Sequence, residues 1–156
     1  MQTVITPVRQ EDLAALCALE AATFSPENFP LSRKAFLYHI KRGNPLLVAR
    51  SGAETAGYIL LLVRKRWMRI YSLAVNPAYR GQGIGETLIR AAVKESRAGG
   101  KESVRLEVRT DNGAARALYA KAGFVEKKVL PGYYGDGTDG IEMVLIQKEE
   151  NEPGQP

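Results

Sequence analysis

Cysteine is almost absent from this sequence: Cys17 stands alone in 156 residues. A lone thiol excludes an internal disulfide framework and a cysteine-based metal site. Histidine is equally scarce. His39 shares a helical segment with Phe36 and Ile40, reads as a packed or surface side chain rather than a ligand, and no metal is expected. No apolar run approaches the roughly 20 residues that a membrane-spanning helix needs. The opening MQTVITPVRQ lacks the charged-then-apolar order of a secretory signal. The expectation is a cytoplasmic protein with no membrane partner. Also missing is the dense basic stripe of a nucleic-acid binder. The net charge is +5 and the pI about 9.4, only mildly basic. The one tight cluster, RKRWMR from Arg64 to Arg69, lies between two strand-like runs. It reads as a solvated hairpin turn or as a basic rim near an acidic ligand, with Trp67 at a hairpin tip or edge.

What is present fits one folded domain. The chain is 45% hydrophobic and 25% charged, an ordinary globular balance. A single domain is expected over residues 1–147, with a polar, frayed tail at 148–156. VITPV is a short strand, and Leu13, Leu16, Cys17 and Leu19–Glu20 mark the inner edge of a helix that SPENFP breaks. Ser32 caps a second helix that stops at Gly43. LLVAR and AGYILLLV pair around SGAET, and IYSLAV follows. A helix from about Gly83 to Arg97 precedes the strand SVRLEV. GAARALYAKA is a fourth helix; FVEKKVL and GIEMVLIQ are the last strands. The order β-α-α-β-β-β-α-β-α-β-β predicts a mixed α/β, or α+β, fold. About seven mostly antiparallel strands are flanked by about four helices.

Between IYSLAV and its helix runs YRGQGIG, Tyr79 to Gly85. Glycine there is costly unless the backbone must do something a side chain would block. A helix N-terminus offers unpaired N–H groups and the positive end of the macrodipole. Gly81, Gly83 and Gly85 let an anion approach those groups, with Arg80 as a cation beside them. The Walker A pattern fails because Glu86 and Thr87 follow Gly85, and the dinucleotide fingerprint fails because Glu86 stands where glycine is required. A phosphate-bearing ligand of another kind is indicated.

R-G-Q-G-I-G, Arg80 to Gly85, matches the Arg/Gln-x-x-Gly-x-Gly/Ala motif of the GNAT acetyltransferase superfamily. SLAVNPAYRGQGIGETLI resembles its acetyl-CoA-binding core. RLEVRTDNGAARALYAKAGF and GYYGDGTDGIEMVL resemble the RimI-type N-terminal acetyltransferases of ribosomal proteins. The resemblance implies a GNAT fold whose sheet splays at the cofactor site. It implies acetyl-CoA as co-substrate, with the pyrophosphate on the backbone N–H groups of Gly81, Gln82, Gly83, Ile84, Gly85 and Glu86, and Arg80 at the edge of that cradle. The pantetheine arm would then lie on the backbone of Leu73, Ala74 and Val75.

Acetyl transfer needs a neutral amine, a polarised thioester and a proton for the departing thiolate. Glu107 alternates with Val104, Leu106 and Val108, so the residues alone allow a solvent-facing carboxylate; the resemblance makes it the general base. Tyr119 shares a helical face with Ala115, Leu118 and Ala122, so the residues alone allow a packed core tyrosine; the resemblance makes it the general acid. Asn112 reads as a helix N-cap, and the resemblance adds a cofactor contact. Tyr133 and Tyr134, in a loop of Gly, Asp and Pro, pack on the sheet edge or, by the resemblance, recognise the acceptor. Phe29, in the segment Thr23 to Phe36, joins them as an acceptor-binding candidate.

The expected activity is acetyl transfer from acetyl-CoA to a primary amine, foremost the N-terminal α-amine of a protein or peptide. The alternatives are a GNAT enzyme for a small amine or a lysine side chain, a non-catalytic acetyl-CoA sensor, and a basic RNA-associated module. Monomer and homodimer both stay open.

Overall fold

Short turns separate the early apolar runs, so they fold as antiparallel hairpins rather than crossovers. The protein is described here by a computed structural model covering residues 2–24 and 30–147. In chain order the elements are β1 (Thr3–Pro7), α1 (Leu13–Thr23), α2 (Arg33–Lys41), β2 (Leu46–Ser51), β3 (Glu54–Val63), β4 (Trp67–Val75), α3 (Ile84–Ala98), β5 (Ser103–Arg109), α4 (Gly113–Lys121), β6 (Val125–Leu130) and β7 (Gly140–Ile146). The strands form one seven-stranded sheet in the order β1-β2-β3-β4-β5-β7-β6. β4 pairs with β5 in parallel, while β1–β2, β2–β3, β5–β7 and β6–β7 are antiparallel. Seven strands and four α-helices, among the described residues, match the sequence expectation. Two compact units divide the chain: Met1–Val63 with Ile70–Ala92, and Arg64–Arg69 with Val93–Pro156.

In the first unit, Leu13, Leu16 and Leu19 of α1 and Phe36 of α2 pack with Leu46, Val48, Tyr58, Leu60 and Ala74. Spacing of three residues puts the α1 leucines on one face. Fully burying each contributes about 1.5–3 kcal/mol. Ser32 caps α2 by accepting from the Ala35 N–H at 3.2 Å, as its sequence position predicts. β3 is buried without interruption from Ala56 to Leu62, the pattern of a strand covered on both faces. Glu20, on the apolar side of α1, is only 2% exposed. Its carboxylate accepts from the Leu31 N–H at 2.7 Å and from the Ser72 hydroxyl at 3.0 Å, and Ser72 in turn bonds the Tyr58 hydroxyl at 2.9 Å. Burial pushes the Glu20 carboxyl above its ordinary value, and the two donors partly offset the rise.

In the second unit, β5 and β7 pair from Ser103↔Ile146 to Arg109↔Gly140. The strand-like alternation of β5 holds: Val104, Leu106 and Val108 are buried, and Arg105, Glu107 and Arg109 are half-buried. The RKRWMR segment differs from expectation. Only Arg64, Lys65 and Arg66 lie outside strands; Trp67, Met68 and Arg69 begin β4 and pair with Ser103, Val104 and Arg105. Trp67 is therefore a strand residue, with the Arg105 guanidinium 4.2 Å over its ring. Four cations in six residues mask the alternation that places Met68 inside. The Lys101 ammonium secures the turn by donating to the Arg64 carbonyl at 2.7 Å and the Lys65 carbonyl at 3.2 Å.

Candidate active site

The glycine turn belongs to the first unit. Asn76 ends β4: its side-chain oxygen accepts from the Ala78 N–H at 3.0 Å and its amide donates to the Thr55 carbonyl at 3.1 Å. A short 3₁₀ turn, Pro77–Tyr79, follows, which the sequence did not suggest. Arg80 is extended and exposed. Gly81 and Gly83 both take φ of +78°, a conformation that L side chains rarely adopt. Gly85 lies inside α3, so two glycines of the three make the turn. Ile84, 3% exposed, anchors the start of α3 with Leu88 and Ile89. The Thr87 N–H donates to the Gly83 carbonyl at 3.0 Å, so the amides of Ile84, Gly85 and Glu86 fall in the first turn. A helix offers no carbonyl of its own to such amides. A Cβ at Gly81 or Gly83 would meet no atom within 4 Å. The turn thus has an open side, first-turn amides and an exposed cation, which suits a phosphate group.

Leu73, Ala74 and Val75 lead into this turn. Ala74 is buried at 2% exposure, and its neighbours are half-buried. A Cβ at Gly57 of β3 would lie 2.7 Å from the Ala74 carbonyl oxygen and 3.3 Å from the Val75 Cα. Only glycine lets β3 lie this close to that backbone. An isolated glycine inside a strand run is the available sequence signal, and Gly57 was missed.

Glu107, Tyr119, Asn112, Tyr133 and Tyr134 belong to the second unit. The Glu107 carboxylate has 17% of its side-chain surface exposed and is clasped by Arg69. The Arg69 Nε and Nη2 both reach Glu107 Oε1 at 2.7 Å, and Nη2 donates to the Tyr133 hydroxyl at 3.4 Å. Tyr133 packs edge-to-face on Tyr134 with centroids 5.0 Å apart. The Arg109 guanidinium lies 5.0 Å over the Tyr134 ring and donates to Asp136 at 2.5 Å and Thr138 at 2.8 Å. These bonds shape the β6–β7 connection, which Gly137 turns with φ of +87°. Tyr134's phenol is pushed up to about 12, first by burial and then by the neighbouring Tyr133 and Glu107.

Tyr119 is 7% exposed on α4, its ring edge-to-face on Phe124 at 5.6 Å. Burial, and secondarily Tyr134, push its phenol well above its ordinary value near 10. The group is therefore protonated throughout the neutral range, and among the described residues no hydrogen bond occupies its hydroxyl. Asn112 caps α4 by accepting from the Ala115 N–H at 3.1 Å, as its sequence position predicts.

The structure thus gathers Glu107, Tyr133 and Tyr134 around Arg69 and Arg109, two cations the sequence did not single out. Leu73–Val75 and Arg80–Glu86 form one continuous stretch of the first unit. Phe29 lies outside the described residues. Among the described residues, no three His, Cys, Asp or Glu side chains gather to hold a metal ion, and no helix is long and apolar enough to cross a membrane.

Comparison with known proteins gives a consistent result. The sequence profile of the Acetyltransferase (GNAT) family matches residues 13–124. An N-alpha-acetyltransferase of Saccharolobus solfataricus is 35% identical over 151 residues, covering 86% of this chain and 87% of the relative. The [ribosomal protein bS18]-alanine N-acetyltransferase of Escherichia coli is 30% identical over 142 residues, covering 91% and 93%. A crystal structure of the ribosomal-protein-S18-alanine N-acetyltransferase from Escherichia coli superposes with a TM-score of 0.84 at 29% identity, covering 96% of this chain and 98% of that one.

Proposed function

The chain belongs to the acetyltransferase (GNAT) family, and from that premise we propose that it transfers acetyl from acetyl-CoA to the N-terminal α-amine of a protein. The family match and the N-alpha-acetyltransferase relatives support the reaction class and the acceptor. The observation that carries the co-substrate is the glycine turn, with Gly81 and Gly83 left-handed and open-sided at the start of α3. There the first-turn amides, with Gln82 and the Arg80 cation at the rim, hold the pyrophosphate. The backbone of Leu73, Ala74 and Val75 holds the pantetheine arm, and Asn112 adds a contact from α4.

Acetyl-CoA supplies an activated acyl group, whose C–S bond is exchanged for a C–N bond. Glu107 takes the proton that the attacking amine gives up, directly or through one water. Tyr119 donates to the departing sulfur. Burial makes it a weak acid, so it acts first as a hydrogen-bond donor to developing negative charge and transfers its proton only as the thiolate forms. Tyr133 and Tyr134 line the acceptor side. The test is CoA thiol release with free N-terminal peptides, the same peptides N-acetylated, internal-lysine peptides and polyamines. Release is expected with the free N-terminal peptides alone. Release only with lysine peptides or polyamines overturns the acceptor, and no thermal shift with millimolar CoA overturns the co-substrate.

A further inference from the structure

We propose that Arg69 is a positioning residue: its guanidinium fastens one oxygen of Glu107 and so presents the other to the amine. This rests on Glu107 being the base. Arg69 Nε and Nη2 both converge on Oε1 at 2.7 Å. Nε donates the hydrogen bond and Nη2 adds an ion-pair contact to the same oxygen; a rigid planar guanidinium places both at once, which a single rotatable ammonium does not. Among the described residues no hydrogen bond goes to Oε2. The guanidinium is itself steadied at its far end, where Nη2 donates to the Tyr133 hydroxyl at 3.4 Å. Tyr133 is backed by Gly140, whose absent Cβ would sit 3.2 Å from the ring. The side chains of Arg69 and Glu107 are 29% and 17% exposed, so water does not fully screen the pair.

Oε2 is thus the atom that accepts the proton from the amine nitrogen, or from an intervening water, as the N–C bond forms and the C–S bond breaks. Arg69 keeps its own protons and touches no reacting atom. A misaimed carboxylate loses rate through geometry rather than through binding of the co-substrate.

The experiment is a double-substitution cycle on the full chain: Arg69→Met, Glu107→Gln and both together, with Arg69→Lys as the conservative variant. Rates are read with a peptide acceptor at saturating acetyl-CoA, and folding by thermal melting. Arg69→Met is expected to lower kcat about 10- to 100-fold while the KM for acetyl-CoA stays within about twofold, and Arg69→Lys to recover part of the loss. In the Glu107→Gln background the same substitution is expected to cost less than about twofold, because the base that Arg69 positions has been removed. An unchanged kcat for Arg69→Met, or an equal loss in both backgrounds, overturns the inference while leaving Glu107 as base. A Glu107→Gln enzyme with full kcat overturns both. Should Arg69→Met not fold, Arg69→Gln carries the same cycle.

Discussion

Glu20 and Glu107 are both carboxylates withdrawn from water, one in each compact unit, and they are held in opposite ways. Glu20 has both oxygens occupied by neutral donors, the Leu31 amide and the Ser72 hydroxyl, at 2% exposure. Glu107 has one oxygen clasped by a guanidinium, and its side chain is 17% exposed. A carboxylate satisfied on both oxygens by neutral donors and sealed from solvent ties elements together; it has no oxygen left for chemistry. A carboxylate held on one side with the other open is poised for proton transfer. Burial by itself therefore does not distinguish the two groups, and the pattern of partners does; in the proposed reaction the open oxygen of Glu107 is the one that takes the proton.

The contrast is broken most directly by removing charge at Glu107. Glu107→Gln is expected to lower kcat about 10²- to 10³-fold, the usual scale of a lost general base, with the melting temperature nearly unchanged. Steady-state kinetics alongside a melt checks it, and full turnover removes Glu107 from the mechanism. The complementary substitution is Glu20→Ala, which strands the Leu31 amide and the Ser72 hydroxyl. It is expected to cost about 2–4 kcal/mol of stability, or roughly 5–15 °C in melting temperature for a chain of this size. The protein that remains folded should keep kcat within a few-fold. A large kcat loss in folded Glu20→Ala would erase the distinction between the two groups.

Tyr119→Phe sharpens the second unit's side of the contrast. Loss of the hydroxyl is expected to slow turnover about tenfold or more, and the effect should shrink with an acyl donor whose leaving group is a better anion. The smallest effect concerns pH. Glu20's folded value is raised above its ordinary 4.5, so its contribution to stability is complete below that value and is lost as pH rises through the folded value. Glu20→Gln should remove this fall. Asp12 has the opposite sign: hydrogen bonding to Arg50, at 2.5 Å, holds its carboxyl below the ordinary 3.8. That stabilisation is present above 3.8 and is lost as pH drops through the lowered value. Melting curves of Glu20→Gln and wild type between pH 4 and 7 separate the two groups. Parallel curves would mean Glu20 does not titrate in that window.

The parts of the site legible in the sequence are those built from near neighbours. Ser32 and Asn112 cap helices through N–H groups three residues on. Gly81 and Gly83 sit where the chain must turn left-handed into α3. The alternation of β5 and the one-sided leucines of α1 gave the strand and the helix. What the sequence hid were pairings across distance and charged residues that looked solvated. Trp67–Arg69 read as turn because cations surround them, yet they are the start of β4. Gly57 was passed over because the backbone it accommodates is seventeen residues later, at Ala74.

By itself, the sequence determined the element order, the glycine turn, the caps and the family, because each depends on residues within a turn or two of one another. Only the tertiary structure decided that Arg69 clasps Glu107 across 38 residues and that Ser72 satisfies Glu20 across 52. A hydrogen bond between side chains exists only once strand register and helix packing have brought its ends within about 3 Å, and no local pattern encodes that meeting.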